Sequence, residues 1–243
     1  MAYWYLCNMS LNGIFPIEQW NFSTPDIFSC LTETEYHNLI TKQGAQKYQK
    51  GQTLFKEGMV PTNICFIHQG KVKKYKIGPA GKEQIIYVAQ KNELIGYHAV
   101  LAGERYPDSA ATLEESIITF IPREDFLQTL RQSTAFAARL LKALSHEYAV
   151  LTNNISLSTQ GTATERLATV LILLREKSKT ETTAGESPVI NLSRTDLANM
   201  AGIAKENVIR LLKDFKTEQI IETDGRKIFV KNIAKLVSRA GVR

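Results

Sequence analysis

The chain has 243 residues, 44% of them hydrophobic and 22% charged, with a formal net charge of +6. That length points to two domains, and the composition is that of an ordinary globular protein able to build a real core. Cys7, Cys30 and Cys65 are odd in number and widely separated, which fits neither a disulfide framework nor a CxxC metal or redox motif, so free thiols in a reducing cytoplasm are expected.

The opening stretch "MAYWYLCNMSLNGIFPIEQW" is aromatic and apolar, yet no Lys or Arg precedes Lys42, so the positive region of a secretory signal is missing. Residues 1–25 are taken as an N-terminal extension. Apolar side chains at Ile27, Phe28, Leu31, Tyr36, Leu39 and Ile40 then recur at helical spacing, predicting a helical lead-in over 26–46.

From Tyr48 to Ile121 the texture changes to short β-rich runs, "TLFKEG", "NICFIHQG", "KVKKYKIG", "KEQIIYVAQ" and "SIITFIP". Glycines punctuate them at a spacing that indicates an all-β barrel or roll, with "IGPAGKEQ" (77–84) as a hairpin connection.

Residues 134–157 contain no Gly or Pro, and Phe136, Leu140, Leu141, Leu144, Tyr148, Leu151 and Ile155 recur every three or four positions. A helix of that length, about 36 Å, is longer than one small domain needs. Its stripe calls for an external partner, and a second copy of the same helix is the cheapest, since a two-fold interface uses one surface twice. A new helix follows the break at Gly161, placing a boundary near 159–164. "LATVLILL" (167–174) is far too short to span a membrane, and the cytoplasm is the expected location. "SKTETTAGESP" (178–188), with Gly185 and Pro188, reads as a loop.

The segment 193–215, "SRTDLANMAGIAKENVIRLLKDF", has the spacing of a helix-turn-helix. Ser193 is placed as an N-cap, Leu197, Met200 and Ala201 as an inner face, Gly202 at the turn and Ile203 as a plug. Val208, Leu211, Leu212 and Phe215 supply a second buried stripe, leaving Lys205, Glu206, Asn207, Ile209, Arg210 and Lys213 outside. Downstream, "IIET" and "KIFV" flank "DGRK", a sequence suited to a tight hairpin, so Arg226 and Lys227 are expected on a wing. Residues 160–243 hold 15 Lys and Arg against 10 Asp and Glu, a net of +5, whereas residues 1–159 hold 15 against 14, a net of +1. The excess lies where a polyanion would bind. Ser193, Arg194, Thr195, Lys205, Glu206, Asn207, Arg210, Lys213, Arg226 and Lys227 are the expected DNA contacts. Among them Arg can bond guanine O6 and N7, and Glu can accept from cytosine N4.

With "KGQTLFKEG", "FIHQGKVKKYKIGPAGKEQII", "LIGYHAVLAGERYPDSAATLEES", "ERLATVLILL" and the winged segment in order, the chain resembles the Crp/Fnr superfamily of bacterial transcription regulators over roughly residues 24–236. The resemblance implies an α+β fold: an N-terminal double-stranded, jelly-roll-like β-roll of the cyclic-nucleotide-binding type (26–132), a long dimerisation helix (133–159) and a C-terminal winged helix-turn-helix (160–243). It also implies a homodimer on a near-palindromic operator of double-stranded DNA, modulated by an effector, with RNA polymerase as a partner if the chain activates transcription. Lys205, Glu206 and Arg210 fall where the family commonly has Arg, Glu and Arg facing base edges. Lys for Arg at 205 loses a bidentate fork, and Ala204 stands where a capping Ser or Thr is usual.

The effector site departs further. Cyclic-AMP-binding members use a Gly-Glu pair for the ribose and an Arg-Ser pair for the phosphate, where this chain has Gly96-Tyr97 and Asp108-Ser109. Tyr97 supplies no carboxylate and Asp108 repels a phosphate, so cyclic AMP is disfavoured. An iron–sulfur cluster is not expected from three scattered cysteines. Haem through His68, His98 or Cys65, an unidentified ligand near Gly96, Tyr97, His98, Arg105, Asp108 and Ser109, or no ligand at all are the alternatives. Asn153 and Asn154 either face such a pocket or set register in the helix pair. No catalytic or metal-binding constellation is found: the four His, at 37, 68, 98 and 146, have no ligand spacing, and GxSxG, HExxH and P-loop motifs are absent. A cyclic-nucleotide sensor acting on a partner protein is the competing class, but it leaves the basic winged helix without a purpose.

Overall fold

A computed structural model describes residues 11, 13–22, 27–179 and 187–241. Cys7, the first ten residues of the expected extension, Thr24 and the loop glycine Gly185 lie outside the described residues. The chain divides into two compact units, Phe22–Tyr148 and Ala149–Arg243 with Met1–Asn21.

In the first unit, helix α1 (Glu33–Leu39) starts at a reciprocal cap: Thr32 Oγ1 accepts from the Glu35 backbone N–H, and the Glu35 carboxylate accepts from that of Thr32. The helix is shorter than the 26–46 periodicity predicts. A 3-10 turn (Thr41–Gln43) follows it, and by Gln46 the backbone is already paired as a strand. Strands β1 (Gln46–Tyr48), β2 (Thr53–Phe55), β3 (Asn63–Gln69), β4 (Val72–Ile77), β5 (Glu83–Ala89), β6 (Leu94–Ile95), β7 (Ser109–Thr112) and β8 (Ser116–Pro122) build two four-stranded antiparallel sheets, ordered β1-β8-β3-β6 and β2-β7-β4-β5. The β4–β5 hairpin closes where expected, with Gly78 N–H donating to Lys82 O.

The alternation of β3 divides the core. Cys65 and Ile67 point into a sheet-lined cluster with Phe55, Val72, Ala89 and Ile118. Ile64 and Phe66 point the other way, against Phe28, Leu39, Ile40, Phe126, Phe136 and Leu140. The last three come from α3 (Arg123–Gln132) and α4 (Thr134–Gln160), while α2 (Tyr97–Ala102) adds Tyr97 and Val100.

Helix α4 corrects the single-stripe expectation. Phe136 and Leu140 are buried, and Ala143 and Leu144 pack on the same cluster. By contrast Leu141, Tyr148 and Ile155 are 65%, 71% and 61% exposed, and Leu151 is exposed as well. The sequence pattern merged two faces: an inner one serving the β-roll, and an outer apolar seam at 141, 148, 151 and 155 with the spacing of a helix–helix contact.

In the second unit, α5 (Ala163–Lys179) packs on α6 (Arg194–Ala201) and α8 (Ile233–Ala240), with α7 (Lys205–Thr217) completing the helices. A three-stranded antiparallel sheet, ordered β10-β11-β9, joins β10 (Ile221–Asp224), β11 (Lys227–Val230) and β9 (Val189–Asn191). Among the described residues no helix is long and apolar enough to cross a membrane.

Candidate nucleic-acid interface and effector site

The helix-turn-helix is assembled by local chemistry. Ser193 caps α6, its hydroxyl accepting from Asp196 N–H at 3.0 Å and donating to the Asp196 carboxylate at 2.6 Å. Gly202 ends α6 at φ +62°, a conformation that resists a side chain, and Ile203 is buried beneath the corner. Leu197, Ala198 and Ala201 bury the inner face, whereas Met200, expected there, is only half-buried. Val208, Leu211, Leu212 and Phe215 are all buried in α7. Ala204 is the N-cap of α7, and among the described residues no side chain caps that end.

Lys205, Glu206, Arg210 and Lys213 are exposed on the opposite face of α7, and Asn207 is half-buried. Among the described residues Arg210 is engaged only by Asp214, one turn on, at 3.6 Å. An exposed pair of this kind contributes little and exchanges readily for an external anion. The hairpin of β10 and β11 turns through Gly225 and Arg226, with Asp224 opposite Lys227. Gly225 has φ +54°. Arg226 and Lys227 are exposed at its tip, and Thr195 is exposed at the start of α6.

Arg194 has a different place. Its guanidinium donates to Gly225 O at 3.0 Å and Arg226 O at 3.3 Å, so it ties the first turn of α6 to the wing tip. Partial burial holds its pKa below the ordinary arginine value. Arg194 is one of the expected DNA contacts, and these bonds also orient the wing.

In the β-roll, Gly96 adopts φ +87° at the N-cap of α2, and a Cβ there would stand 3.2 Å from the Tyr106 ring and 3.4 Å from that of Phe55. It delivers Tyr97 and His98 toward α4. The Tyr97 hydroxyl donates to Glu147 Oε1 at 2.5 Å, and His98 Nε2 lies 2.5 Å from Glu147 Oε2. Tyr97 and Glu147 are both buried. Burial by itself pushes the Glu147 carboxyl up, but the hydrogen bond and charge of His98, the Tyr97 hydrogen bond and the charge of Lys74 outweigh it, and the group lies below its usual value. Burial, reinforced by the Glu147 charge, raises the Tyr97 phenol. Asp108 pairs with Lys74 at 3.1 Å, both largely shielded, and Tyr87 donates to buried Glu93.

Of the remaining expected pocket residues, Arg105, Ser109 and Asn153 bond elsewhere. Arg105 is exposed and donates to Gly58 O at 2.8 Å, and Ser109 Oγ accepts from Glu57 N–H at 2.9 Å. Asn153 donates to Gln19 O at 2.8 Å, and Asn154 is half-buried; both belong to the other compact unit. Of the haem-ligand alternatives, His68 bonds Thr119 Oγ1 at 2.8 Å, and Cys65 is buried in the core with its thiol pKa pushed up by desolvation. Among the described residues no group of three or more His, Cys, Asp and Glu is arranged to hold a metal ion.

Sequence reasoning missed Lys74 and Glu147. The signal for Glu147 was present: it falls on the inner series Phe136, Leu140, Ala143, Glu147, an acid where apolar side chains are due. Lys74 was hidden in a strand carrying four lysines around its turn, "KVKKYK", which reads as a solvated edge.

Residues 45–133 match the cyclic nucleotide-binding domain and residues 165–239 the Crp-like helix-turn-helix domain. The chain is 30% identical over 194 residues to the fumarate and nitrate reduction regulatory protein of Vibrio cholerae, covering 80% of this chain and 77% of that one. It is 28% identical over 202 residues to the transcriptional activator protein anr of Pseudomonas aeruginosa, covering 83% and 82%. Among solved structures, FixK2 from Bradyrhizobium japonicum aligns with a TM-score of 0.74 at 21% identity, over 82% of this chain and 98% of that one. The c-di-GMP responsive global regulator CLP of Xanthomonas campestris aligns at 0.67 and 16% identity, over 82% and 99%.

Proposed function

Because the chain belongs to the Crp/Fnr family of DNA-binding transcription regulators, we propose that it acts as a homodimer in the bacterial cytoplasm, paired through α4 and reading a near-palindromic operator with two copies of α7. In this reading residues 26–132 are the sensing β-roll, 133–159 the dimerisation helix and 160–243 the DNA-binding domain. The observation that carries it is the division of α7: a fully buried apolar stripe behind, and Lys205, Glu206, Arg210 and Lys213 exposed in front. Glu206 and Arg210 read base edges, while Lys205, Lys213, Arg226 and Lys227 contact phosphates and set register. The exposed seam of Leu141, Tyr148, Leu151 and Ile155 supports the dimer, since apolar side chains at this spacing are covered by a like helix. The P. aeruginosa relative is named an activator. Activation with RNA polymerase as partner follows by that likeness.

Selection from a random duplex pool by the full chain tests the reading. The expected product is a two-fold-symmetric sequence with half-sites about 34 Å apart. A pool that stays random after repeated rounds would overturn it.

A second reading concerns the β-roll. Its residues do not fit a cyclic nucleotide: Asp108 stands in the order of the chain where the family has its phosphate-binding Arg, Lys74 is already neutralised by it, and Tyr97 is buried against Glu147. Regulation in this chain therefore does not run through cyclic AMP, and the Tyr97–Glu147–His98 contact holds α2 on α4 without it. Titration calorimetry with cyclic AMP is expected to give no heat; saturable binding would refute this.

A further inference from the structure

The outward face of α7 carries one side chain that its electrostatic role does not account for. Ile209 is 52% exposed, and among the described residues of the winged-helix region (163–241) it is the only large apolar side chain in that state. It stands one turn beyond Lys205 and Glu206, one turn before Lys213 and next to Arg210, at the centre of the exposed reading set. Water would favour a straight-chain polar residue there, because a β-branched side chain gives up rotamer freedom in a helix without gaining burial. The same stiffness becomes useful if the methyl groups must meet a fixed target. In the major groove the one apolar group presented by the base pairs is the C5-methyl of thymine.

We propose that Ile209 is a specificity-determining residue that packs on a thymine methyl in each half-site, beside the base pairs read by Glu206 and Arg210. The proposal rests on the DNA-reading role of α7. It adds an apolar term to a face otherwise read as charged, and it makes a T·A pair a required element of the operator.

The test uses the operator recovered by selection. Each thymine is replaced in turn by deoxyuridine, which removes the C5-methyl and leaves the Watson–Crick and groove hydrogen-bonding groups in place. Binding is measured by fluorescence anisotropy at fixed salt. At one symmetry-related thymine position, loss of the methyl is expected to weaken binding about three- to fivefold per half-site, the magnitude of one buried methyl group. Ile209→Ala is expected to bind the unmodified operator more weakly and to be indifferent to deoxyuridine at that position, with an unchanged melting temperature because the side chain is exposed. Equal binding of the wild-type chain to every deoxyuridine duplex overturns the proposal, as does an undiminished deoxyuridine effect in Ile209→Ala. A selection that yields no operator defeats the DNA-reading role itself, and this inference with it.

Discussion

Lys205, Glu206 and Lys213 on α7, and Arg226 and Lys227 on the wing, are exposed, and among the described residues their side chains meet no hydrogen-bonding or ionic partner. In the β-roll the opposite holds: Lys74 faces Asp108, Glu147 takes Tyr97 and His98, and Glu93 takes Tyr87. Both regions hold residues that the family resemblance makes candidates for ligand contact. One leaves its charges unmatched by the chain, and the other satisfies them from within. Charge at a site therefore indicates a ligand only when the chain has not already supplied the counter-charge, because a buried group that is already paired gains little from a newcomer and loses its partner to admit it.

Four outcomes sharpen or break that contrast. The largest effect is expected from Glu147→Ala, which leaves the buried Tyr97 hydroxyl and the partly exposed His98 without their acceptor. A loss of roughly 1–3 kcal/mol for an orphaned buried partner, weighted to Tyr97, is expected as a lowered melting temperature of the β-roll. An unchanged melt would mean that the cluster is not what holds α2 on α4. Next comes Arg210→Ala, expected to cost about 1–3 kcal/mol in operator affinity and to relax discrimination at one base pair, with dimer and melt unchanged. Equal losses on operator and random DNA would assign Arg210 to phosphate instead.

Smaller again, Lys213→Ala and Lys227→Ala are each expected to weaken operator and random duplexes alike and to lower the salt slope of log K by about 1, measured in gel shifts across a salt series. The smallest effect is the pH response of Glu147. Its carboxyl lies below the ordinary value of 4.5 in the folded chain, so its contribution is complete above that pH and is lost as pH falls through the lower folded value. Acid melts should show a steeper loss for the wild type than for Glu147→Gln. The difference stays below that of Glu147→Ala, because a protonated carboxyl still accepts a hydrogen bond.

Much of the winged helix was legible in the residue order. Ser193, Gly202 and the stripe from Val208 to Phe215 act through neighbours within a few positions, so spacing alone locates the cap, the corner and the buried face. Helix α8 carries an equally regular buried stripe of Ile233, Leu236, Val237 and Ala240. Strands β1, β6, β7 and β9 are not legible in the residue order because runs of two to four residues carry no measurable period of their own, whereas the equally short β2, β10 and β11 are marked by turn glycines beside them. The tie of Arg194 to the wing is invisible in the residue order because its carbonyl acceptors lie 31 and 32 residues away, on a turn that approaches it only after folding.

By itself, then, the sequence determined the family, the succession of β-rich segment, long helix and winged helix, and which face of α7 turns outward, since each depends on local periodicity and on charge that local neighbours do not cancel. Only the tertiary structure decided which charges were already matched. Glu147 lies 50 residues from Tyr97, and Lys74 pairs across strands with Asp108. An ion pair or a buried hydrogen bond is a relation between distant positions, fixed by the register of strands and the path of a helix, and no single segment contains it.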